Sequence, residues 1–226
     1  MSLNTALISV DLVAFQLIDG QLQVLTRSQE MSPGKTVLTL PAGRIEPDTD
    51  SCLDGTARRQ LSYLTDNPAS YLEQVVTIGD PKRDSRGWSL TVVYYALLEN
   101  NPKQQLSSDA HWVNLSAGQP EEELAYDHNK LVLRAMERLK SKVQYSSLPV
   151  YLLPEEFTLS DIRNVIQGIL EKAPPMRSIR NRFLKGDLLE ETGLQRRGSN
   201  RPAALYRLNK TSKTWLFDRL YVTTQQ

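Results

Sequence analysis

Hydrophobic periodicity changes part-way along this chain, and the change restricts it to two differently built parts. Up to residue 115 the apolar positions fall mostly in short alternating or β-branched runs, the mark of strands. Residues 5–17 and 22–26 read as two strands joined at the turn dipeptide Asp19-Gly20. Residues 37–40, 75–78, 90–98 and 111–115 read as further strands, the middle pair flanking a polar loop, GDPKRDSRGW. Among them Leu53, Ala57, Leu61 and Leu64 recur at helical spacing, which predicts an amphipathic helix over 52–65. Leu131, Ala135, Met136 and Leu139 predict another over 124–142. The first part is therefore mixed α+β.

The pattern then turns helical. Segment 141–156, with Pro149, Pro154 and a pair of serines, reads as a connection between domains of residues 1–145 and 146–226. Thr158 precedes Ile162, Val165, Ile166, Ile169 and Leu170, and with Asp161 three residues on it is an N-cap candidate. Pro174-Pro175 ends that helix and opens another over 176–185, with Gly186 as its stop. Residues 188–190 and 203–208 form two short strands around GLQRRGSNRP. Helix, turn, helix and hairpin is the order of a winged helix.

Charge follows the same division. The net +1 hides 13 basic and 8 acidic residues from Glu155 onward, against 14 and 18 before it. Residues 176–213 hold ten basic and three acidic groups, so one end of the chain is suited to a polyanion. Cys52 is the single cysteine, which excludes an internal disulfide and fits a reducing compartment. The opening residues lack the basic stretch and cleavage site of a secretion signal, and no run of about 18 apolar residues exists. These features predict a cytoplasmic protein with no membrane partner. His111 and His128 stand apart from any Cys or carboxylate grouping, so no metal site is expected.

On a helical wheel of 176–185, Met176, Ile179, Phe183 and Leu184 gather on a core side. Ser178, Asn181, Arg182 and Lys185 lie opposite, Arg177 borders them, and Arg180 falls nearer the apolar stripe, to pack or to reach a phosphate. Arg suits guanine edges, Asn suits adenine, and all can grip phosphates. Arg196, Arg197, Asn200 and Arg201 on the hairpin tip complete a candidate duplex-binding set.

The stretch PAGRIEPDTDSCLDGTARRQLSYLTD resembles a Nudix box, G-x5-E-x7-R-E-U-x-E-E-x-G-U with U apolar. Gly43, Arg59 and Leu61 match its glycine, arginine and first U, with Gly43 and Arg59 two residues further apart than the pattern. Gln60, Tyr63 and Leu64 stand where the family's helix glutamates hold divalent cations. No catalytic or metal-binding residue, and no pyrophosphohydrolase activity, is therefore expected.

Taken with YLEQVVTIGDPKRDSRGWSLTVVYYALL, LLPEEFTLSDI and FLKGDLLEETGLQRRGSNRPAALYRLN, the chain closely resembles the Nudix-related transcriptional regulators (NrtR-like) over residues 7–210. The resemblance implies a Nudix-like α/β/α sandwich followed by a winged helix-turn-helix. It further implies a homodimeric repressor on a palindromic operator, released by ADP-ribose or another NAD-related metabolite, with no required cofactor. Arg27, Arg44, Lys82, Arg83, Arg86 and Trp88 are the candidate effector contacts. Two other readings stay open: a working Nudix hydrolase with a nucleic-acid-binding appendage, and a regulator of sugar catabolism sensing a sugar or sugar phosphate. A protein-interaction scaffold is a third.

Overall fold

The computed structural model describes residues 6–84, 87–185, 187–197, 202–209 and 214–221. It divides into two compact units, Met1–Gln16 with Leu22–Glu137, and Leu17–Gln21 with Arg138–Gln226. Gly186, the expected stop of the basic helix, lies outside the described residues.

The first unit is built on strands β1 (Leu7–Ile18), β2 (Gln21–Ser32), β3 (Lys35–Thr39), β4 (Ala42–Arg44), β5 (Tyr71–Asp84), β6 (Gly87–Leu97), β7 (Ala110–Ser116) and β8 (Gln119–Pro120). Its helices are α1 (Leu53–Ser62) and the start of α2 (His128–Val143). The strands form one sheet in the order β5-β6-β1-β2-β7-β8, with β3 added to β2 and β4 to β1. β1 runs parallel to β6, pairing Val10 with Val92, Leu12 with Tyr94 and Ala14 with Ala96. Because side chains alternate along a strand, these even-numbered residues share one face. There they pack with Leu25, Ala57, Leu61, Leu64 and Leu98, so α1 covers that side. Odd-numbered Asp11 points the other way, to His128 at the start of α2. The sheet is thus held between the two helices, the α/β/α sandwich expected from the resemblance.

One expected loop is not a loop. Residues 79–88 were read as irregular because they are polar, but β5 and β6 continue as a ribbon and pair as far as Asp84 with Gly87. A strand pair that buries no apolar face carries no apolar alternation, so its polarity conceals it.

The second unit contains a 3₁₀ helix (Leu148–Leu152), α3 (Leu159–Leu170), α4 (Met176–Phe183) and the antiparallel pair β9 (Leu189–Arg196) and β10 (Ala203–Leu208). Segment 141–156 is no simple tether. Leu148, Val150 and Leu152 are buried, as are Ser146 and Ser147. Ile162, Val165, Ile166 and Ile169 on α3 form the core with Ile179, Phe183 and Leu188. Phe157 exchanges two backbone hydrogen bonds with Tyr206, at 2.9 and 2.8 Å, adding a third extended segment to the hairpin.

Thr158 caps α3 as its spacing suggests. Its hydroxyl accepts from Asp161 N at 3.2 Å, and the Asp161 carboxylate accepts from Thr158 N at 2.7 Å. Replacing Thr158 with Ala removes the acceptor of the Asp161 N–H and leaves only the carboxylate half of the box, and urea unfolding should show a loss of about 1 kcal/mol.

Candidate functional site

In the first unit, the turn entering α1 is held by a single guanidinium. Arg59 donates to Asp50 at 2.7 Å through both Nε and NH2, to Glu46 at 2.8 Å and to the Arg44 carbonyl at 3.0 Å. The hydrogen bond from Arg59, and then those from the Glu46 backbone and the Thr56 hydroxyl, outweigh burial and hold the Asp50 carboxyl far below the usual carboxylate range. Gln60 is buried; its amide donates to the Ala42 carbonyl and accepts from Arg59, each at 3.0 Å. A Cβ on Gly43 would lie 2.0 Å from that amide, so any larger residue there must displace Gln60 from these bonds.

These residues do not suit a divalent cation. Glu46 and Asp50 already neutralise Arg59, Gln60 is a spent amide, Leu64 belongs to the core, and Tyr63 is an exposed phenol. A Mg²⁺ site needs several carboxylate or water oxygens in near-octahedral array. Among the described residues no three His, Cys, Asp or Glu side chains gather as metal ligands.

The opposite face of the sheet holds a polar cluster beneath a groove. Asp11, 3 % exposed, accepts from the Thr91 hydroxyl and lies 3.5 Å from both Arg83 and His128. His128 Nδ1 accepts from Leu40 N at 2.8 Å, which places the proton of the neutral ring on Nε2, towards Asp11. Burial lowers the His128 pKa against the opposing pull of Asp11 and Asp127. Arg83 is bound bidentately by Asp127 at 2.6 and 2.9 Å, and that bond raises its pKa above the ordinary value.

Over this cluster lies a groove of about 670 Å³, between β5 and the first part of α2. Lys82, Arg83, Lys130 and Arg134 line it as cations, Asp80, Asp127 and Glu137 as acceptors, and Tyr126 as an exposed ring. The volume suits a ligand the size of a dinucleotide fragment.

Of the expected effector contacts, the structure brings only Lys82 and Arg83 into this groove. Arg27 is on β2 and pairs with Asp109 at 2.6 Å. Arg44 is exposed on β4. Trp88 lies on the α1 side of the sheet, over Gly79, where a Cβ would meet the indole at 2.5 Å. Arg86 lies outside the described residues. Tyr126, Lys130 and Arg134 were missed, although their spacing of four residues is a legible helical-face signal.

In the second unit, α4 is turned from its expected orientation. Arg182 does not face outward: it donates to the Gln144 carbonyl at 2.9 Å and to the Asp218 carbonyl, and lies over the Phe217 ring. Burial lowers its pKa. Leu184, expected in the core, is 46 % exposed. The cause is the chain beyond Trp215. Trp215 and Ser147 are bonded to each other, Phe217 N donates to the Tyr145 carbonyl, and Phe183 meets Phe217 edge-on at 5.4 Å. This strap takes the Arg182–Phe183 side of α4, and the outer face becomes Arg177, Arg180, Asn181 and Lys185.

Arg180 is therefore exposed rather than packed, and Ser178 is half-buried. On the hairpin Arg197 is exposed, whereas Arg196 is tied to Asp161 at 3.0 and 2.8 Å. Asn200 and Arg201 lie outside the described residues.

The NrtR DNA-binding winged helix domain model matches residues 149–208. A Nudix-fold unit joined to such a winged helix is the build of a transcriptional regulator. The ADPR responsive transcriptional repressor NtrR of Acinetobacter baylyi is 36% identical over 217 residues, covering 95% of this chain and 86% of that one. The chain belongs to the NrtR family of transcriptional regulators.

Shewanella oneidensis NrtR complexed with a 27mer DNA superposes with a TM-score of 0.82 at 38% identity, over 89% of this chain and 93% of that one. The NUDIX domain of the same protein, complexed with ADP ribose, matches 60% of this chain and 90% of its own at 35% identity, with a TM-score of 0.52. Among the described residues no helix is long and apolar enough to cross a membrane.

Two outcomes follow from the Arg59 clamp. A carboxylate whose pKa is depressed on folding adds stability above its unfolded value, about 3.9, and loses it as pH falls towards the folded value. Asp50→Asn should therefore lower the melting temperature at pH 7, with the gap from the native chain closing progressively below about pH 4. Incubation with Mg²⁺ and ADP-ribose should release no AMP above background, far below the ~1 s⁻¹ of a slow enzyme.

Proposed function

We propose that this chain is a cytoplasmic, homodimeric repressor that holds a palindromic operator through α4 and the hairpin, and lets go when ADP-ribose occupies the groove beside α2. The observation that carries the proposal is the outer face of α4. Arg177, Arg180, Asn181 and Lys185 are exposed and make no ion pair or side-chain hydrogen bond among the described residues. A short rigid helix offering guanidinium, amide and ammonium groups together suits the major groove and its flanking phosphates. Support for the partner and effector comes from the DNA complex and the ADP-ribose complex of the Shewanella relative.

The groove has the donors and acceptors that ADP-ribose requires. Lys82, Lys130 and Arg134 suit its pyrophosphate, Asp80 and Glu137 suit ribose hydroxyls, and the Tyr126 ring suits the adenine. Coupling is supported by α2 itself. It lines the groove at Lys130, Arg134 and Glu137 and runs unbroken into the second unit at Arg138. A dimer on DNA must space its two recognition helices by about 34 Å or a multiple. A ligand favouring another spacing weakens the operator, and the operator weakens that ligand by the same factor.

Fluorescence anisotropy on DNA upstream of the gene, at fixed salt, tests the scheme. Saturating ADP-ribose should lower operator affinity at least fivefold; equal affinity with and without it defeats the coupling. Lys82→Ala should weaken ADP-ribose by about tenfold or more while leaving ligand-free operator binding intact. Arg177→Ala and Arg180→Ala should each weaken DNA and reduce the salt slope by about one. Arg182→Ala should lower the melting temperature before it alters that slope.

A further inference from the structure

We infer that Leu184 is a base-reading residue, placing its isobutyl group against a thymine C5-methyl in the major groove. The inference rests on the reading of α4 as the helix that enters DNA.

Leu184 caps α4, its N–H donating to the Arg180 carbonyl at 3.1 Å, so it continues the helical path by one position. It follows Arg180 by four residues, Asn181 by three and Arg177 by seven, and those offsets place all four side chains on one face. The core side of α4 is already closed by Ile179 and Phe183, and the strap occupies the flank beside Arg182. Leu184 is left 46 % exposed at the C-terminal end of that cationic face, beside Lys185.

A single exposed leucine is ordinary on a protein surface. This one is distinguished by its neighbours. The exposed large apolar side chains of the second unit, among the described residues, are Leu184, Leu194 and Leu216, and the first two lie on α4 and the hairpin. An apolar group between guanidinium and amide donors has no partner on the phosphate backbone. In the major groove it has one, because thymine alone among the four bases presents a methyl there. Arginine and asparagine at its sides would take the hydrogen-bonding edges of neighbouring pairs. Leu184 then reports the one feature those donors cannot read.

The test uses the full chain and a duplex selected by it from a random-sequence library. Each thymine of that duplex is replaced singly by uracil, which removes only the methyl, and Kd is measured at fixed salt. At one position per half-site the native chain should lose about fourfold, the worth of one buried methyl. The same uracil should be neutral for Leu184→Ala, an exposed substitution that leaves the core untouched. Leu184→Ala should also keep the native salt slope, since no phosphate contact is removed. A uracil scan flat at every position overturns the inference, as does a sensitivity that persists unchanged in Leu184→Ala. Failure of the native chain to enrich any duplex is a different result: it removes the DNA reading itself, and the inference with it.

Discussion

The Arg59–Asp50 pair is the tie on which the first unit depends. It fixes the turn entering α1, and through Gln60 it seats that helix against Gly43 and Ala42. The pair is half-buried and bidentate, and removing one partner leaves the other without its main compensation. The same tie decides chemistry. Glu46 and Asp50 are the acidic side chains of this turn that meet Arg59, and holding it occupies oxygens that a cation would need. What remains is a folded scaffold whose other face carries a groove.

Arginines across the chain divide by the same logic. Arg59, Arg83, Arg182 and Arg196 each hold a carboxylate or a carbonyl and shape the units. Arg177, Arg180 and Arg197 are exposed without an ion pair among the described residues. A guanidinium already bonded in good geometry must give up those bonds to take a phosphate, whereas an exposed one exchanges only water. Sequence cannot separate the two groups, for it records only that a cation is present. Partner geometry separates them.

Most of the architecture was legible because it rests on local pattern. Alternating residues marked β1 and β6, spacing of three and four marked α1, α2 and α3, and Thr158 with Asp161 marked the cap. The β5–β6 ribbon escaped because strands without a buried face carry no alternation. Segment 141–156 reads as a connection from its prolines and serines, and Leu148, Leu152, Ser146 and Ser147 within it are buried, since prolines are as compatible with a packed 3₁₀ turn as with a loop. Of the groove, Lys82 and Arg83 were foreseen. Tyr126, Lys130 and Arg134 were not, because their four-residue spacing marks a shared face but not that β5, more than forty positions earlier, packs opposite it.

The sequence by itself determined the two-part organisation, the winged-helix order, the loss of the Nudix carboxylates and the concentration of positive charge near the end. These depend on residue type and short spacing, which the chain carries wherever it is. Tertiary structure alone decided which cations remain exposed and which way α4 is turned. That rotation is set by a strap more than thirty residues beyond the helix: Phe217 and the Asp218 carbonyl draw Phe183 and Arg182 inward and leave Leu184 outside. A helical wheel computes one helix against an imagined core, whereas the real orientation is the compromise among every surface that packs on it.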